Sequence, residues 1–475
     1  MKPLATAFAI GSSFLALAGP ACSGLEVGVT DDGGKYADDG GTWFYSQLDT
    51  AGMTVNRISV SWNPAHPSRI ADKPFLDRAL PVAAAHHIDV MFSVGIGKAH
   101  AITASRARPA GFAAFLKLLA SSYPQVTKFI VGNEPNQPRF WQPQFDRRGH
   151  GVSGFAYEHL LALSYDALKQ VNPDIEVIGV GLSPRGNDNP RARNNVSTSP
   201  VRFLHELGLG YRASARARPI MDALAFHPYP NPSSAADAPS VGYAWPNAGV
   251  PNLDRIKQAV WDEFHGTAQP TFAEWDPLRV PVATGEPQPL RFELDEVGWQ
   301  ARIVRSAARS YRGVEISRTV SERTQAIYYA SLVRRYTCDR TVESLLFFHL
   351  VDEADLDRFQ SGLVRANHTL RPSFAAVKNA IAETANGCTG ALVSWHHATD
   401  VAGASAWGTT RGVVLRAEEG ARYEVQVSGR TLARGRLRPY APTLVRLRDA
   451  GTAVARLHAT MNPARVSSFA VPFES

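Results

Sequence analysis

Phe129-Ile-Val-Gly-Asn-Glu-Pro-Asn136 is the stretch on which the reading of this chain turns. Lys128 to Val131 has the make-up of a buried strand, and it runs into Gly132 and then a carboxylate, Glu134, set between Asn133 and Pro135. In an α/β chain the carboxyl end of an apolar strand is where sites are built. The same tripeptide also suits a solvated turn, so its meaning depends on what the other strand ends carry.

Working outward, the strand pattern recurs at Leu25 to Val29, Thr54 to Ser61, Ile88 to Val94, Ile175 to Val180, Met221 to His227, Leu290 to Val297 and Ser344 to Leu350. With Lys128 to Gly132 these make eight. Between them lie helical patterns such as Ala110 to Ser121, Ala156 to Gln170, Asp254 to Phe264, Gln300 to Ser310 and Glu322 to Tyr336. Eight alternations with no surplus strand predict an α/β chain closed into a (β/α)8 TIM barrel. A last helical pattern, Pro372 to Ala385, stops at Asn386-Gly387, and the apolar period then becomes two, as in Gly412 to Ala417, Ala421 to Val427 and Thr443 to Leu447. The expected organisation is a leader at 1–21, a barrel at 24–387 and an all-β sandwich at 390–475.

Composition narrows the function classes. Hydrophobic residues are 44% and charged residues 20%, a globular balance with ample core material. The net charge of +7 is spread as arginine over many segments, which argues against a nucleic-acid partner and fits an acidic polymer or an anionic envelope surface. Met1 to Cys22 joins a positive start, an apolar run and small residues near Ala21, the pattern of a signal peptide. Its run from Leu4 to Ala18 is shorter than the roughly 20 residues of a spanning helix. The sequence therefore predicts a secreted or cell-envelope associated protein with no integral span once the leader is removed. Gly19-Pro20-Ala21 makes Cys22 a poor lipidation site. Cys338 and Cys388 lie at element edges and are disulfide candidates, with two separate thiols as the alternative.

Polar residues interrupt the strand ends. Arg57 lies in the second strand, Asn133 and Glu134 end the fourth, His227 and Tyr229 follow the sixth, and Glu296 ends the seventh. Alternation along a strand places Ile130, Gly132 and Glu134 on one face, and Leu294 with Glu296 on another. Two carboxylates across a barrel mouth suit glycosidic bond cleavage: one protonates the leaving oxygen, the other attacks the anomeric carbon or activates water. Such an acid needs a raised pKa, while its partner must stay ionised. Glu293 and Asp295 are rivals to Glu296 for the second role. Asp31 and Asp32 either touch substrate or form a solvated turn, and His205, His265, His396 and His397 lack metal-ligand spacing. No metal and no cofactor is expected.

Asn133-Glu134-Pro135, Phe226-His227-Pro228-Tyr229 and Glu296-Val297-Gly298-Trp299, in this order after strands four, six and seven, resemble the clan A glycoside hydrolases, most closely families 39 and 5. The resemblance covers about residues 25 to 385, and an appended small β-sandwich is similar to family 39 organisation. It implies Glu134 as acid/base, Glu296 as nucleophile of a retaining double displacement, and Asn133 as partner of the sugar 2-hydroxyl. His227 and Tyr229 would contact the nucleophile and the sugar, with Arg57 supporting from below. One departure stands out: Phe347-Phe348-His349 occupies the eighth strand where the clan often has a tryptophan, so Trp299 or a loop ring such as Trp141 would serve the innermost subsite.

The rings of the long loops, Phe140, Trp141, Phe145, Tyr229, Tyr243 and Trp245, either stack on sugars or pin the loops to the barrel. The first alternative mildly favours internal cleavage. The function expected is hydrolysis of a β-linked polysaccharide or oligosaccharide; the alternative is a catalytically retired carbohydrate-binding protein on the same scaffold.

Overall fold

The computed structural model describes residues 24–230, 238–275, 288–448 and 450–474. The leader expected at 1–21, with Cys22, lies outside the described residues. Eight parallel strands close into a barrel in sequence order: β1 Glu26–Thr30, β2 Val55–Ser61, β3 Asp89–Gly95, β4 Lys128–Val131, β5 Glu176–Leu182, β6 Ala223–Phe226, β7 Phe292–Val297 and β8 Val342–Phe347. A helix follows each strand, the longest being Ser153–Val171 and Glu322–Thr337. Proline occupies the first turn of Lys73–Ala85, Arg108–Ser122, Pro200–Ala213 and Pro372–Thr384, where its missing N–H costs nothing.

Period two sorts the strand side chains into two cores. Ile58, Val60, Phe92, Val94, Phe129 and Val131 face outward and bury against the helices. Val55, Met91, Ile130, Ile178, Ala223, Ala225 and Leu346 face inward and form a separate apolar layer across the barrel axis. Above this layer, toward the carboxyl ends of the strands, the inward positions turn polar. Below it, Lys128 Nζ lies 2.8 Å from Glu26, 3.7 Å from Glu176, 3.1 Å from Glu293 and 3.2 Å from Glu343.

Two expectations need correction. Gln300 to Ser310 is not a helix beyond a 3-10 turn at Arg305–Ser310, because Ala301 pairs with Val320 and donates its N–H to Gln360 O, tertiary bonds that outweigh local helix preference. Leu294 and Glu296 do not share a face: a bulge in β7 sets Leu294 opposite Leu345 and Val297 opposite Phe347, three steps against two. Leu294 packs outward while Asp295 and Glu296 both turn toward the barrel mouth.

After the helix Pro372–Thr384 the chain forms two antiparallel sheets. The strands are β9 Ser405–Thr409, β10 Gly412–Arg416, β11 Ala421–Val427, β12 Arg430–Leu437, β13 Thr443–Arg446, β14 Gly451–Ala459 and β15 Val466–Phe473, ordered β13-β10-β9 and β12-β11-β14-β15. Val413, Leu415, Val425, Leu457 and Phe473 lie among the residues of their common core. Arg465, buried at the junction with the barrel, pairs with Glu419 at 2.6 Å and with Asp262 at 3.3 Å. Cys338 and Cys388 form a disulfide that joins the segments after the helices Glu322–Thr337 and Pro372–Thr384.

Candidate active site

Glu134 is positioned by an unusual stretch of backbone. Gly132 has φ +83° and Glu134 has φ +39°, left-handed values that bend the chain sharply after β4 and that a side-chain-bearing residue adopts only under constraint. The constraint comes from β5. There Val180 and Gly181 also have positive φ, at a bulge that turns Gly181 O toward Glu134 N, 2.9 Å away. Tyr157, fully buried on the helix Ser153–Val171, locks both strands: its hydroxyl donates to Val131 O at 2.5 Å and accepts from Val180 N at 2.9 Å.

The remaining polar groups converge from β2, β6 and β7. Arg57, 3% exposed, donates from Nη1 to Glu296 Oε1 at 2.8 Å and from Nη2 to Asn133 Oδ1 at 2.7 Å and Ser93 Oγ at 2.9 Å. Its Nε lies 3.0 Å from Asp295 Oδ2. The Tyr229 hydroxyl donates to Glu296 Oε2 at 3.0 Å. His227 Nδ1 stands 2.9 Å from Glu134 Oε1 and 3.5 Å from Glu296 Oε2, and its Nε2 is 3.3 Å from Asp295 Oδ2. Two glutamates on different strands thus meet one imidazole.

Electrostatics fixes the protonation of the supporting groups. Burial disfavours a charged His227, but the charges of Glu296 and Asp295 and the hydrogen bonds to Asp295 and Glu134 outweigh it and lift its pKa from 6.5 to about 10. His227 is therefore an imidazolium at neutral pH, donating from both nitrogens. Asp295 is fully buried; that alone would raise its pKa, yet His227 and Arg57 bring it below the usual value. Burial, then the charges of Glu296 and Glu134, push the Tyr229 phenol well above 10, so it remains a donor. Arg57 can only donate, which assigns its contact on Asn133 to the amide oxygen and leaves the Asn133 amide nitrogen, without a partner among the described residues, to serve a ligand.

The inward rivals of Glu296 have other places. Asp295 lies beneath the site as the anion between Arg57 and His227. Glu293 lies at the opposite end of the barrel, bound to Lys128 and Ser344. Carboxylate oxygens of Glu176, Glu293 and Glu343 lie within 4.8 Å of one another, a grouping that could hold a cation, but the Lys128 ammonium already stands among them.

Two aromatic expectations are corrected. Trp299 is 0% exposed and packs against Tyr328 and Tyr329 of the helix Glu322–Thr337; Trp141 is 1% exposed and packs edge-on to Tyr157. Both rings pin structure and neither offers a face to a sugar. Phe145 and Tyr243 are likewise buried, so they line no cleft and lend no support to internal cleavage. The rings at the mouth are instead Phe348, at the end of β8, and Phe359, 40% exposed in the loop beyond it, whose centroids are 4.9 Å apart and 6.2 and 6.4 Å from Tyr229. Sequence reasoning missed Phe359, Ser93 and Thr30, whose hydroxyl donates to Asp295 O. Ser93 had a signal, a lone hydroxyl inside Met91-Phe92-Ser93-Val94; Phe359 had none.

With this geometry the chain can be set beside known proteins. A family 39 glycoside hydrolase from the gut symbiont Bacteroides cellulosilyticus WH2 matches 89% of this chain and 79% of its own at 16% identity, with a TM-score of 0.53. The two share a fold. A family 5 subfamily 18 protein from Streptomyces cattleya, in complex with GlcNAc, covers 82% of this chain and 85% of its own at 14% identity and TM-score 0.47. The endo-1,4-beta-mannanase from Rhizomucor miehei covers 76% and 95% at 12% identity and TM-score 0.47. No protein-family model matches the chain, and no curated protein matches it. Among the described residues no helix is long and apolar enough to cross a membrane.

Proposed function

We propose that this chain is a retaining glycoside hydrolase acting on a β-linked polysaccharide or oligosaccharide, exported by its N-terminal leader. The observation that carries the reading is the convergence of Glu134 and Glu296 on His227 Nδ1, at 2.9 and 3.5 Å. A shared partner for both carboxylates supports the close spacing of a retaining pair, roughly 5–5.5 Å, over the roughly 6.5–9.5 Å of an inverting one.

The roles follow from the partners. Glu296, held by Arg57 and Tyr229 on separate oxygens, is aimed as the nucleophile. Glu134 donates its proton to the glycosidic oxygen as a Glu296 oxygen bonds to the anomeric carbon and the bond to the leaving sugar breaks. Glu134, now a carboxylate, takes a proton from the water that attacks the same carbon, and Glu296 leaves as a carboxylate. The amide nitrogen of Asn133 donates to the 2-hydroxyl, and Phe348 with Phe359 supplies an apolar surface for a ring.

Glu134→Gln and Glu296→Gln are each expected to lower turnover by at least about 10²–10⁴-fold with the fold intact. An array of polysaccharides and aryl glycosides, read for new reducing ends, identifies the substrate and separates internal from terminal cleavage. NMR of the first product shows whether the anomeric configuration is retained; inversion would refute the double displacement even with both glutamates essential.

A further inference from the structure

The outer face of the β12-β11-β14-β15 sheet carries arginines in register. Arg422 on β11 stands directly opposite Arg436 on β12 and His458 on β14; two residues along, Glu424 stands opposite Arg434 and Arg456. All four arginines are exposed, while the alternate residues Ala421, Val425, Ala455 and Leu457 fill the core behind them. Like charges directly opposite on neighbouring strands oppose pairing, and Arg422 meets Arg436 in that position. The face has one carboxylate, and it is already engaged: Glu424 accepts from Thr431 at 2.6 Å, Gln426 at 2.7 Å and Arg434 at 3.3 Å. Among the described residues Arg422, Arg436 and Arg456 make no ion pair.

We propose that this face docks a linear anionic polysaccharide, whose carboxylate or sulfate groups seat between the guanidinium groups of Arg422, Arg436 and Arg456. Neighbouring strands repeat every ~4.8 Å, the scale of one pyranose ring, so successive charged sugars meet successive strands. Ser468 and Ala470 on β15 keep the far side of the face low, leaving an open lane for an extended chain. The outward positions of these strands carry no Phe, Tyr or Trp, the rings that anchor at a bilayer interface, and His458 is their one imidazole. Position favours a role beside catalysis. Tyr440, three residues beyond β12, accepts at its hydroxyl from Trp245 N, so the sheet is tied to a barrel loop and polymer held on it stays with the catalytic barrel. The inference rests on the glycoside hydrolase reading only in its choice of polymer.

The test uses the full chain carrying Glu134→Gln, so that nothing is cut, in affinity electrophoresis and titration against polygalacturonate. Neutral mannan, phosphatidylglycerol vesicles and duplex DNA are run alongside. Polygalacturonate is expected to bind, more weakly as salt rises, and about tenfold more weakly when Arg422→Gln, Arg436→Gln and Arg456→Gln are combined. The combined variant is expected to melt no lower than its parent at low salt, because repulsion has been removed, which separates lost binding from lost folding. Equal binding by the combined variant, or arginine-dependent binding of vesicles or DNA but not of polygalacturonate, overturns the proposal. A wild-type chain that binds polygalacturonate through these arginines yet cleaves no glycoside would refute the hydrolase reading alone.

Discussion

Asp295 Oδ2 lies 3.3 Å from His227 Nε2, and both side chains are wholly out of solvent. Because the same carboxylate oxygen also lies 3.0 Å from Arg57 Nε, one buried anion orients both cations that reach the two glutamates above it.

Asp295→Asn keeps the shape and removes the charge. Imidazolium and guanidinium then lose their shared counter-ion, and His227 titrates at lower pH. Turnover is expected to fall about 10- to 100-fold, with the alkaline limb of the kcat profile moved toward neutrality. A purely structural role would lower activity without moving that limb.

His227 also links stability to pH. Its folded pKa, about 10, exceeds the ordinary 6.5, so its contribution is complete below about pH 6.5 and is lost as pH rises through 10. Melting temperature followed from pH 6 to 10 is expected to decline, and to decline less in His227→Gln, which starts from a lower value. A His227→Gln curve parallel to wild type would disprove the linkage.

Tyr157→Phe tests the support of Glu134. The change leaves Val180 N without its partner beside a strained bulge, at a cost of about 2 kcal/mol. Activity measured well below the melting temperature is expected to fall mainly through kcat, since Glu134 and its neighbour Asn133 shift against a nucleophile that Arg57 and Tyr229 still hold.

At the other end of the barrel, Lys128→Met strands four carboxylates, one of them wholly buried, and is expected to destabilise by about 3–5 kcal/mol at neutral pH. Burial, offset in part by Lys128, already lifts Glu176 to about 7 from 4.5, so its contribution to stability is present below pH 4.5 and lost as pH rises through 7. The Lys128→Met deficit should therefore shrink on acidification, as denaturant titration at pH 5 and 8 would show, while kcat per folded molecule stays unchanged.

Reduction of Cys338–Cys388, which spans 50 residues, is expected to cost about 4 kcal/mol through the entropy of the unfolded chain. Paired melts with and without reductant measure it. Activity at low temperature should persist, because neither sulfur is near the mouth.

Much of the barrel was legible because each strand is an apolar run bounded by helical periodicity, and because Arg57, Glu134, His227 and Glu296 break that pattern at the ends that share one rim. The facing of β7 was not legible: Asp295 and Glu296 both point inward through a bulge, which period-two reasoning excludes, and nothing in Leu294-Asp295-Glu296 marks it. Trp141 and Trp299 misled for another reason. A loop tryptophan has the same sequence signature whether its face meets Tyr157 or a ligand, and only tertiary packing decides. In the sandwich, β14 escaped notice because Ala453, Ala455 and Ala459 fill most of its inward positions, and β12 because Ala433 and Gly435 face inward between Arg434 and Arg436, leaving little hydrophobic contrast.

The apolar layer of Val55, Met91, Ile130, Ile178, Ala223, Ala225 and Leu346 has one more effect. It sets hydrocarbon between the ionic floor and the mouth, and hydrocarbon offers no proton relay along the axis. The ring protons of His227 are then expected to exchange with bulk water from above. A glycan seated over Glu134 would stopper the vessel, and solvent deuterium would reach the imidazole only as fast as the sugar departs.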